Sequence, residues 1–174
     1  MNSLLGDAAP GFDDPLEMLL ACHGRIEAQC DTLHRLVEHL SANGNDAQAS
    51  QAARAILRYF DTAGQNHHQD EEQDLFPRLL AAGDLTTQEL VARLLAEHQT
   101  MDAAWQLLRP LLIDIAENRP DQLDAAVAAH FIDLYAQHIA LENAELLPLA
   151  TALLNKEQLQ LLGRNMAARR GVTI

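Results

Sequence analysis

Residues 60–77 read FDTAGQNHHQDEEQDLFP, and residues 131–148 read FIDLYAQHIALENAELLP. Aligned at an offset of 71 residues, the two stretches share five matched pairs: Phe60 and Phe131, His67 and His138, Glu71 and Glu142, Leu75 and Leu146, and Pro77 and Pro148. A His and a Glu four residues apart lie on one face of an α-helix. The chain therefore contains an internal repeat, and each half is predicted to carry one His-x-x-x-Glu motif on a helix.

A shorter repeat adds one histidine to each half. Residues 19–23 (LLACH) match residues 94–98 (LLAEH) at four of five positions, at an offset of 75. His23 and His98 thus occupy equivalent positions on two further predicted helices. In a bundle with pseudo-two-fold symmetry, two His and one Glu from each half would approach a common axis.

Hydrophobic residues recur at helical spacing in four long segments, which predicts an all-α fold. The segments run over residues 14–43, 46–80, 86–118 and 121–154. Asp14 is the expected N-cap of the first, and a capping box from Thr86 to Glu89 is expected to open the third. Short loops between long amphipathic helices favour an up-down-up-down antiparallel four-helix bundle. Asn155 is expected to cap a short extra C-terminal helix.

The predicted organisation is one domain with two appendages. A length of 174 residues suits a single domain. Residues 1–12 lack periodicity and are expected to form a flexible N-terminal arm. Residues 13–155 are assigned to the four-helix bundle, and residues 156–174 to the C-terminal helix and tail.

Composition and charge exclude several classes of protein. The net charge is −13, which argues against nucleic acid or an anionic membrane as partner, because phosphate binding needs clustered cations. We see neither a signal peptide nor a membrane span. Cys22 and Cys30 are eight residues apart, too distant on one helix for a disulfide with each other. Reduced thiols fit a cytoplasmic protein.

Inward-facing His and Glu in a bundle core are costly unless something pairs with them. They could pair with one another through hydrogen bonds. They could also bind metal, with neutral imidazoles and ionised carboxylates as ligands, as bundle cores do in dinuclear sites. The two matched motifs and two matched single histidines favour the metal hypothesis. A mixed nitrogen and oxygen donor set suits iron or manganese, and zinc or copper can bind by affinity alone.

The chain resembles the hemerythrin-like family, also called the HHE cation-binding domain. The resemblance covers roughly residues 14–154 and is carried by five parts of the sequence: His23, residues 67–77, His98, residues 138–142 and residues 146–148. It implies a four-helix bundle around a non-haem pair of iron ions, with His23, His67, His98 and His138 as nitrogen ligands and Glu71 and Glu142 bridging. An oxo or hydroxo bridge would complete the di-iron centre, and zinc or manganese are possible substitutes.

The chain departs from the family's oxygen carriers at one position. The resemblance implies a fifth histidine ligand four residues after His98, where this sequence has Asp102. It is similar instead to bacterial variants with four His and two Glu, which leave more open coordination. Asp102 remains a candidate ligand, a hydrogen-bond partner of an imidazole, or a structural residue.

Other polar residues near the motifs have alternative interpretations. Tyr135, one turn before His138, either packs in the core or approaches the metals as a donor. His68 and Glu72 are rotated about 100° from the inward stripe, so they form either a solvated pair or an outer shell around the ligands. The acidic run from Asp70 to Asp74 is expected to be a solvated face.

The resemblance implies binding of oxygen, sensing of oxygen or iron, or handling of nitric oxide and damaged iron clusters. Our leading hypothesis is a protein that binds or senses a small diatomic, oxygen or nitric oxide, or an iron or redox state. The alternative is a di-iron oxidoreductase that consumes peroxide or nitric oxide. A third hypothesis is a structural bundle whose polar core satisfies itself. The sequence identifies no protein partner.

Overall fold

The computed structural model describes residues 10–119 and 123–173, and every regular element within them is helical. The predicted all-α class is confirmed. Most of the arm predicted at residues 1–12 lies outside the described residues, and so does Asp121, the expected start of the fourth helix. None of the described helices is long and apolar enough to cross a membrane.

Five helical segments follow one another along the described chain. The first helix is Pro15–Asn43, the third is Leu85–Ala116 and the fifth is Lys156–Arg169. The second covers residues 47–82 in five consecutive parts: Ala47–Tyr59, Phe60–Gly64, Gln65–Gln69, Asp70–Leu75 and Phe76–Ala82. The fourth covers residues 125–153 in three parts: Ala125–Leu141, Glu142–Leu146 and Leu147–Leu153.

The helix starts follow from side chains that accept hydrogen bonds from free backbone N–H groups. Asp14 accepts from the backbone of Glu17, as expected, and Asn155 forms a full capping box with Gln158. The capping box predicted at Thr86 is wrong. Asp84, two residues before Thr86, caps the third helix instead. Its carboxylate reaches the first turn of the helix and accepts a hydrogen bond from the backbone N–H of Thr87.

Three of the parts, Phe60–Gly64, Asp70–Leu75 and Glu142–Leu146, are π-helical turns. A π turn bonds i to i+5 and inserts extra chain into an α-helix, often at a functional site. Glu71 lies inside one of these turns and Glu142 begins another. The two glutamates of the repeated motif are thus placed by matched local distortions that a regular helical periodicity does not describe.

The first helix packs against the second and the fourth, and the third helix packs against the same two. Their buried apolar residues form two separate clusters. One contains Ile26, Phe60, Met101 and Phe131, and the other contains Leu19, Leu75, Leu94 and Leu146. On each helix the His and Glu positions fall between residues of these two clusters, so the polar groups occupy a layer between two hydrophobic cores.

The acidic run from Asp70 to Asp74 is only in part the solvated face expected from the sequence, since Glu72 and Gln73 are exposed. Asp70 is fully buried and Asp74 is nearly so. The fifth helix packs on this turn, where Arg169 and Arg170 both bind the Asp70 carboxylate and Arg169 also binds Asp74 at 2.7 Å. The prediction failed because the periodicity of one helix carries no information about a partner almost 100 residues later in the chain.

Removal of these cations should destabilise the fold. The double variant Arg169→Ala/Arg170→Ala leaves Asp70 buried without these two counter-charges and leaves Asp74 paired with Arg78 at 3.4 Å, so we expect the free energy of unfolding to fall by about 3–5 kcal/mol. Urea unfolding followed by circular dichroism measures this. Arg119→Ala is the control, since Arg119 is about half exposed in its pairs with acidic neighbours, and it should cost no more than about 1 kcal/mol. A double variant as stable as this control would contradict a stabilising role of Arg169 and Arg170 at the buried aspartates.

Candidate metal centre

Four helices bring six ionisable side chains into the layer between the two apolar clusters. His and Glu at i and i+4 share a helical face, so the second and fourth helices each supply one pair, while the first and third each supply one histidine. All six residues are at most 2% exposed. They are His23, His67, Glu71, His98, His138 and Glu142.

The six residues form two groups of four that could each hold a metal ion. One group is His23, His67, Glu71 and Glu142, and the other is Glu71, His98, His138 and Glu142. Within each group the candidate donor atoms all lie within 4.8 Å of one another. Both glutamates belong to both groups, so the structure brings together all six residues that the sequence singled out as ligands.

Each glutamate directs its two oxygens towards different groups. Glu71 Oε1 lies 3.5 Å from His67 Nε2, and its Oε2 lies 3.4 Å from His98 Nε2. Glu142 Oε2 lies 3.1 Å from His23 Nε2, and its Oε1 lies 3.0 Å from His138 Nε2. A carboxylate that presents one oxygen to each of two adjacent positions has the orientation of a bridging ligand.

The protein alone leaves this layer unsatisfied. All four carboxylate oxygens of Glu71 and Glu142, together with His23 Nε2, lack a hydrogen bond of acceptable geometry among the described residues. A buried polar atom without a partner costs about 1–3 kcal/mol, and more when it is charged. The hypothesis of a self-satisfied structural bundle predicts paired atoms here, so the orphaned oxygens weigh against it and fit a donor set for cations.

His98 and His138 show the same mismatch. Their Nε2 atoms are 3.0 Å apart, while each Nδ1 faces a carboxylate, Glu72 for His98 and Glu97 for His138. An ionised carboxylate can only accept, so each Nδ1 carries the proton and each neutral ring presents a lone pair at Nε2. Two lone pairs facing each other at this distance repel, and a shared proton or a nearby cation relieves the repulsion.

Burial and neighbouring charge shift the pKa values of Glu71, Glu142 and His67. Burial, together with the charge of Glu142, raises the pKa of Glu71 well above its usual value. The imidazoles of His138 and His23, whose Nε2 atoms lie within 3.1 Å of the carboxylate, outweigh burial and hold the pKa of Glu142 well below its usual value. Burial lowers the pKa of His67 to about 3, so its imidazole stays neutral, the form that binds metal.

Of the residues that orient the histidines, Glu72 was one alternative predicted from the sequence, whereas Asn143 and Glu97 were missed. Three of the four rings donate Nδ1–H to an acceptor: His23 to Asn143 at 2.7 Å, His98 to Glu72 at 2.7 Å and His138 to Glu97 at 2.8 Å. Such bonds fix the tautomer and direct Nε2 towards the centre. The repeat held a signal for the first two, since Glu72 and Asn143 are themselves equivalent at the offset of 71.

The three additional candidates have different positions. Asp102 is exposed. The sequence made it a candidate hydrogen-bond partner of an imidazole, but the hydrogen bond from His98 goes to Glu72. Tyr135 is buried and packs against Phe60 and Phe131. The solvated interpretation of His68 is wrong. A helix inside a bundle has neighbours on two sides, so a rotation of 100° turns a residue towards the next helix rather than towards water.

His68 instead lies against the cluster. Its ring stacks on that of His98, with centroids 4.0 Å apart and planes 13° from parallel. The ring of Tyr135 is also nearby, with its centroid 6.1 Å from that of His68. The residue is 8% exposed, and its Nε2 has no hydrogen-bond partner among the described residues. His68 is thus adjacent to the group containing His98 and His138 without belonging to either group of four.

Comparisons with known proteins agree with this geometry. The family model described as "Hemerythrin HHE cation binding domain" matches residues 14–150. A protein of Haemophilus influenzae, described as "Uncharacterized protein", is similar to this chain, with 32% identity over 161 residues that cover 92% of each sequence.

The shifted pKa of Glu71 predicts a pH dependence in metal-free protein. A carboxyl that keeps its proton in the folded state but loses it on unfolding makes the slope of stability against pH negative. In protein kept in chelator, Glu71 should therefore lower the stability as pH rises above about 4.5, its unshifted pKa, by at most about 1.4 kcal/mol per pH unit, while the lowered pKa of His67 acts in the opposite direction below pH 6.5.

Glu71→Gln should remove this part of the slope, because the amide does not titrate. Denaturant unfolding between pH 5 and pH 8 compares the two proteins, with Glu89→Gln as the control at an exposed position. Parallel profiles of stability against pH for the wild type and Glu71→Gln would contradict the raised pKa of Glu71.

Proposed function

The chain belongs to the hemerythrin HHE cation-binding domain family, and on that premise we propose that it is a non-haem di-iron protein that binds or senses a small diatomic such as oxygen or nitric oxide, or an iron or redox state. The observation that carries the proposal is the pair of buried four-residue groups that share Glu71 and Glu142. Their unsatisfied oxygens supply the negative charge that two adjacent cations need.

In the proposed site, one iron takes nitrogen from His23 and His67, and the other takes nitrogen from His98 and His138. Glu71 and Glu142 bridge the two ions, a role supported by the direction of their oxygens. Nitrogen and oxygen donors suit iron, and they also admit zinc or manganese. Two protein nitrogens and two bridging oxygens for each ion leave coordination positions open for an exogenous ligand.

We propose that the first four helices form an up-down-up-down antiparallel bundle over residues 13–155, with the fifth helix, in residues 156–174, as a C-terminal addition. Support comes from the ring of contacts in which the first and third helices each pack against the second and fourth. Bundles with short connections place facing side chains in a shared core, where metal sites are built.

When bound, a reduced iron pair supplies electrons and open positions for a small ligand. The chain provides the surroundings: Phe60 and Phe131 pack on one side of the polar layer and Leu75 and Leu146 on the other, all at most 3% exposed. These apolar walls exclude bulk water and admit only small molecules, because a larger organic substrate would have to part the core. This environment suits a diatomic ligand.

The proposed compartment is the cytoplasm, supported by two free buried thiols, Cys22 and Cys30, that a reducing environment maintains. The proposed partner is a small molecule. With a net charge of −13, the protein is poorly suited to nucleic acid or anionic membranes. We propose no protein partner.

The first test is metal content. Protein purified without chelator from iron-replete cells, or reconstituted with iron, should hold about two metal ions per chain and show near-ultraviolet charge-transfer absorbance from bridged ferric iron. Elemental analysis and absorption spectroscopy measure both. Less than half an equivalent of any transition metal after reconstitution would contradict the proposal.

A second candidate function is consumption of peroxide or nitric oxide. His68 favours it, because a buried imidazole beside His98 whose Nε2 has no hydrogen-bond partner in the described part of the chain could hold or move a proton. The two functions separate in one experiment on the iron-loaded protein. Reversible ligand binding without net loss of ligand supports the binding or sensing function. Catalytic disappearance of peroxide or nitric oxide supports the oxidoreductase.

The ligand assignment predicts a contrast between two adjacent histidines. His67→Ala should lose at least one of the two irons, because it removes a nitrogen ligand. His68→Ala should retain both, with a reduction in affinity of at most about 10- to 100-fold, as for residues that contact ligands. By the same reasoning Glu71→Ala should damage the site more than Glu72→Ala. The measurement is the metal content of the four variants after identical reconstitution. A greater loss of metal in His68→Ala than in His67→Ala, or in Glu72→Ala than in Glu71→Ala, would refute the ligand set.

Metal should also stabilise the fold. The ligands are assembled only in the folded chain, so metal binding is coupled to folding. The iron- or zinc-loaded protein should melt at a higher temperature than the protein in chelator, with the difference growing with free metal concentration. Equal melting temperatures would count against a preorganised site.

A further inference from the structure

We propose that the two metal positions are inequivalent, and that the position formed by His98 and His138 holds its cation more tightly and prefers the ion of higher charge. This inference rests on the proposed di-metal function and goes beyond it, because a symmetric site would serve that function equally well. The difference lies outside the six candidate ligands, in the side chains that contact the imidazoles from behind.

The repeat provides the comparison between the two halves. At the offset of 71, Glu72 corresponds to Asn143, and at the offset of 75, Cys22 corresponds to Glu97. These are the residues at the outer side of the histidines. The position of His98 and His138 therefore has two glutamates behind it, one from each half of the chain, where the position of His23 and His67 has an asparagine and a cysteine.

At the position of His98 and His138, both imidazoles donate to carboxylates. His98 Nδ1 is 2.7 Å from Glu72 Oε1, and His138 Nδ1 is 2.8 Å from Glu97 Oε2. The other oxygen of Glu97 accepts from Arg93 at 2.8 Å, which holds this carboxylate in place across one helical turn. Both rings at this position are thus polarised by a negatively charged acceptor.

At the position of His23 and His67, the acceptors among the described residues are weaker or missing. His23 Nδ1 donates to the neutral amide oxygen of Asn143 at 2.7 Å. His67 Nδ1 is buried and has no hydrogen-bond partner among the described residues. Cys22, at the position equivalent to Glu97, offers only a thiol, and its sulfur lies 3.8 Å from the Arg25 guanidinium.

The energetic consequence follows from ligand basicity. A carboxylate behind an imidazole draws the Nδ1 proton towards itself and makes Nε2 a stronger donor to a cation. Removal of one such partner typically costs 10- to 100-fold in metal affinity. With two carboxylates against one amide and one orphaned N–H, the position of His98 and His138 should bind at least about tenfold more tightly. The added negative charge also favours a more highly charged ion there.

The test isolates each position with zinc as the probe, because zinc binds His and carboxylate ligands without redox chemistry. His67→Ala leaves the position of His98 and His138 intact, and His138→Ala leaves the position of His23 and His67 intact. Competition with a chromophoric chelator gives the zinc affinity of each variant without repulsion from a second ion. We expect His67→Ala to bind one zinc at least about tenfold more tightly than His138→Ala. Equal affinities, or the reverse order, would overturn the proposal.

Variants at the rim of the site keep the test independent of folding. Glu97→Gln, in the otherwise intact chain, should lower the zinc affinity of the position of His98 and His138 by about 10- to 100-fold, so that the first of two zinc-binding steps becomes weaker. Asn143→Asp replaces an exposed amide and should strengthen the second step. If Glu97→Gln weakens only the second step, or if Asn143→Asp strengthens the first, the assignment of the tight position is wrong.

Failure of this inference and failure of the proposed function give different results. If the wild type binds two zinc ions and the single-position variants have equal affinity, the di-metal function stands and the inequivalence is overturned. If the wild type binds no stoichiometric zinc or iron, the proposed function fails and the inequivalence fails with it.

Discussion

The structure depends on the cost of burying two carboxylates within reach of each other. Glu71 and Glu142 are fully buried, and none of their four oxygens has a good hydrogen bond from the described residues. A protein selected for stability alone would place apolar side chains there. One apolar cluster packs on each side of the layer, and four histidines surround the two carboxylates. This arrangement fits a site that could hold cations.

The distortions of the helices serve the same layer. Glu71 and Glu142 lie in π turns at equivalent places of the repeat, where the extra residue changes which side chains face the centre and which face the neighbouring helices. In the second helix this turn also carries Asp70, whose charge is neutralised by the fifth helix through Arg169 and Arg170. The C-terminal helix therefore supports the segment that holds a candidate bridging ligand.

The pseudo-symmetry of the chain is stricter at the centre than around it. The six candidate ligands match between the halves, whereas the residues behind the histidines do not, and His68 has Ile139 as its equivalent. Both of these residues are buried. One half of the layer is consequently more polar and more negative than the other, a difference that follows from side-chain chemistry at positions where the backbone is equivalent.

The amino-acid sequence by itself determined the helical class, most helix boundaries and the six His and Glu positions, because helical periodicity and an internal repeat are properties of spacing along the chain. Only the tertiary structure decided which oxygen of Glu71 faces which histidine, that Glu72 rather than Asp102 orients His98, and that Asp70 and His68 are buried. These outcomes depend on the rotation and identity of neighbouring helices. A single helical period cannot encode them, and π turns shift the period where the site is built.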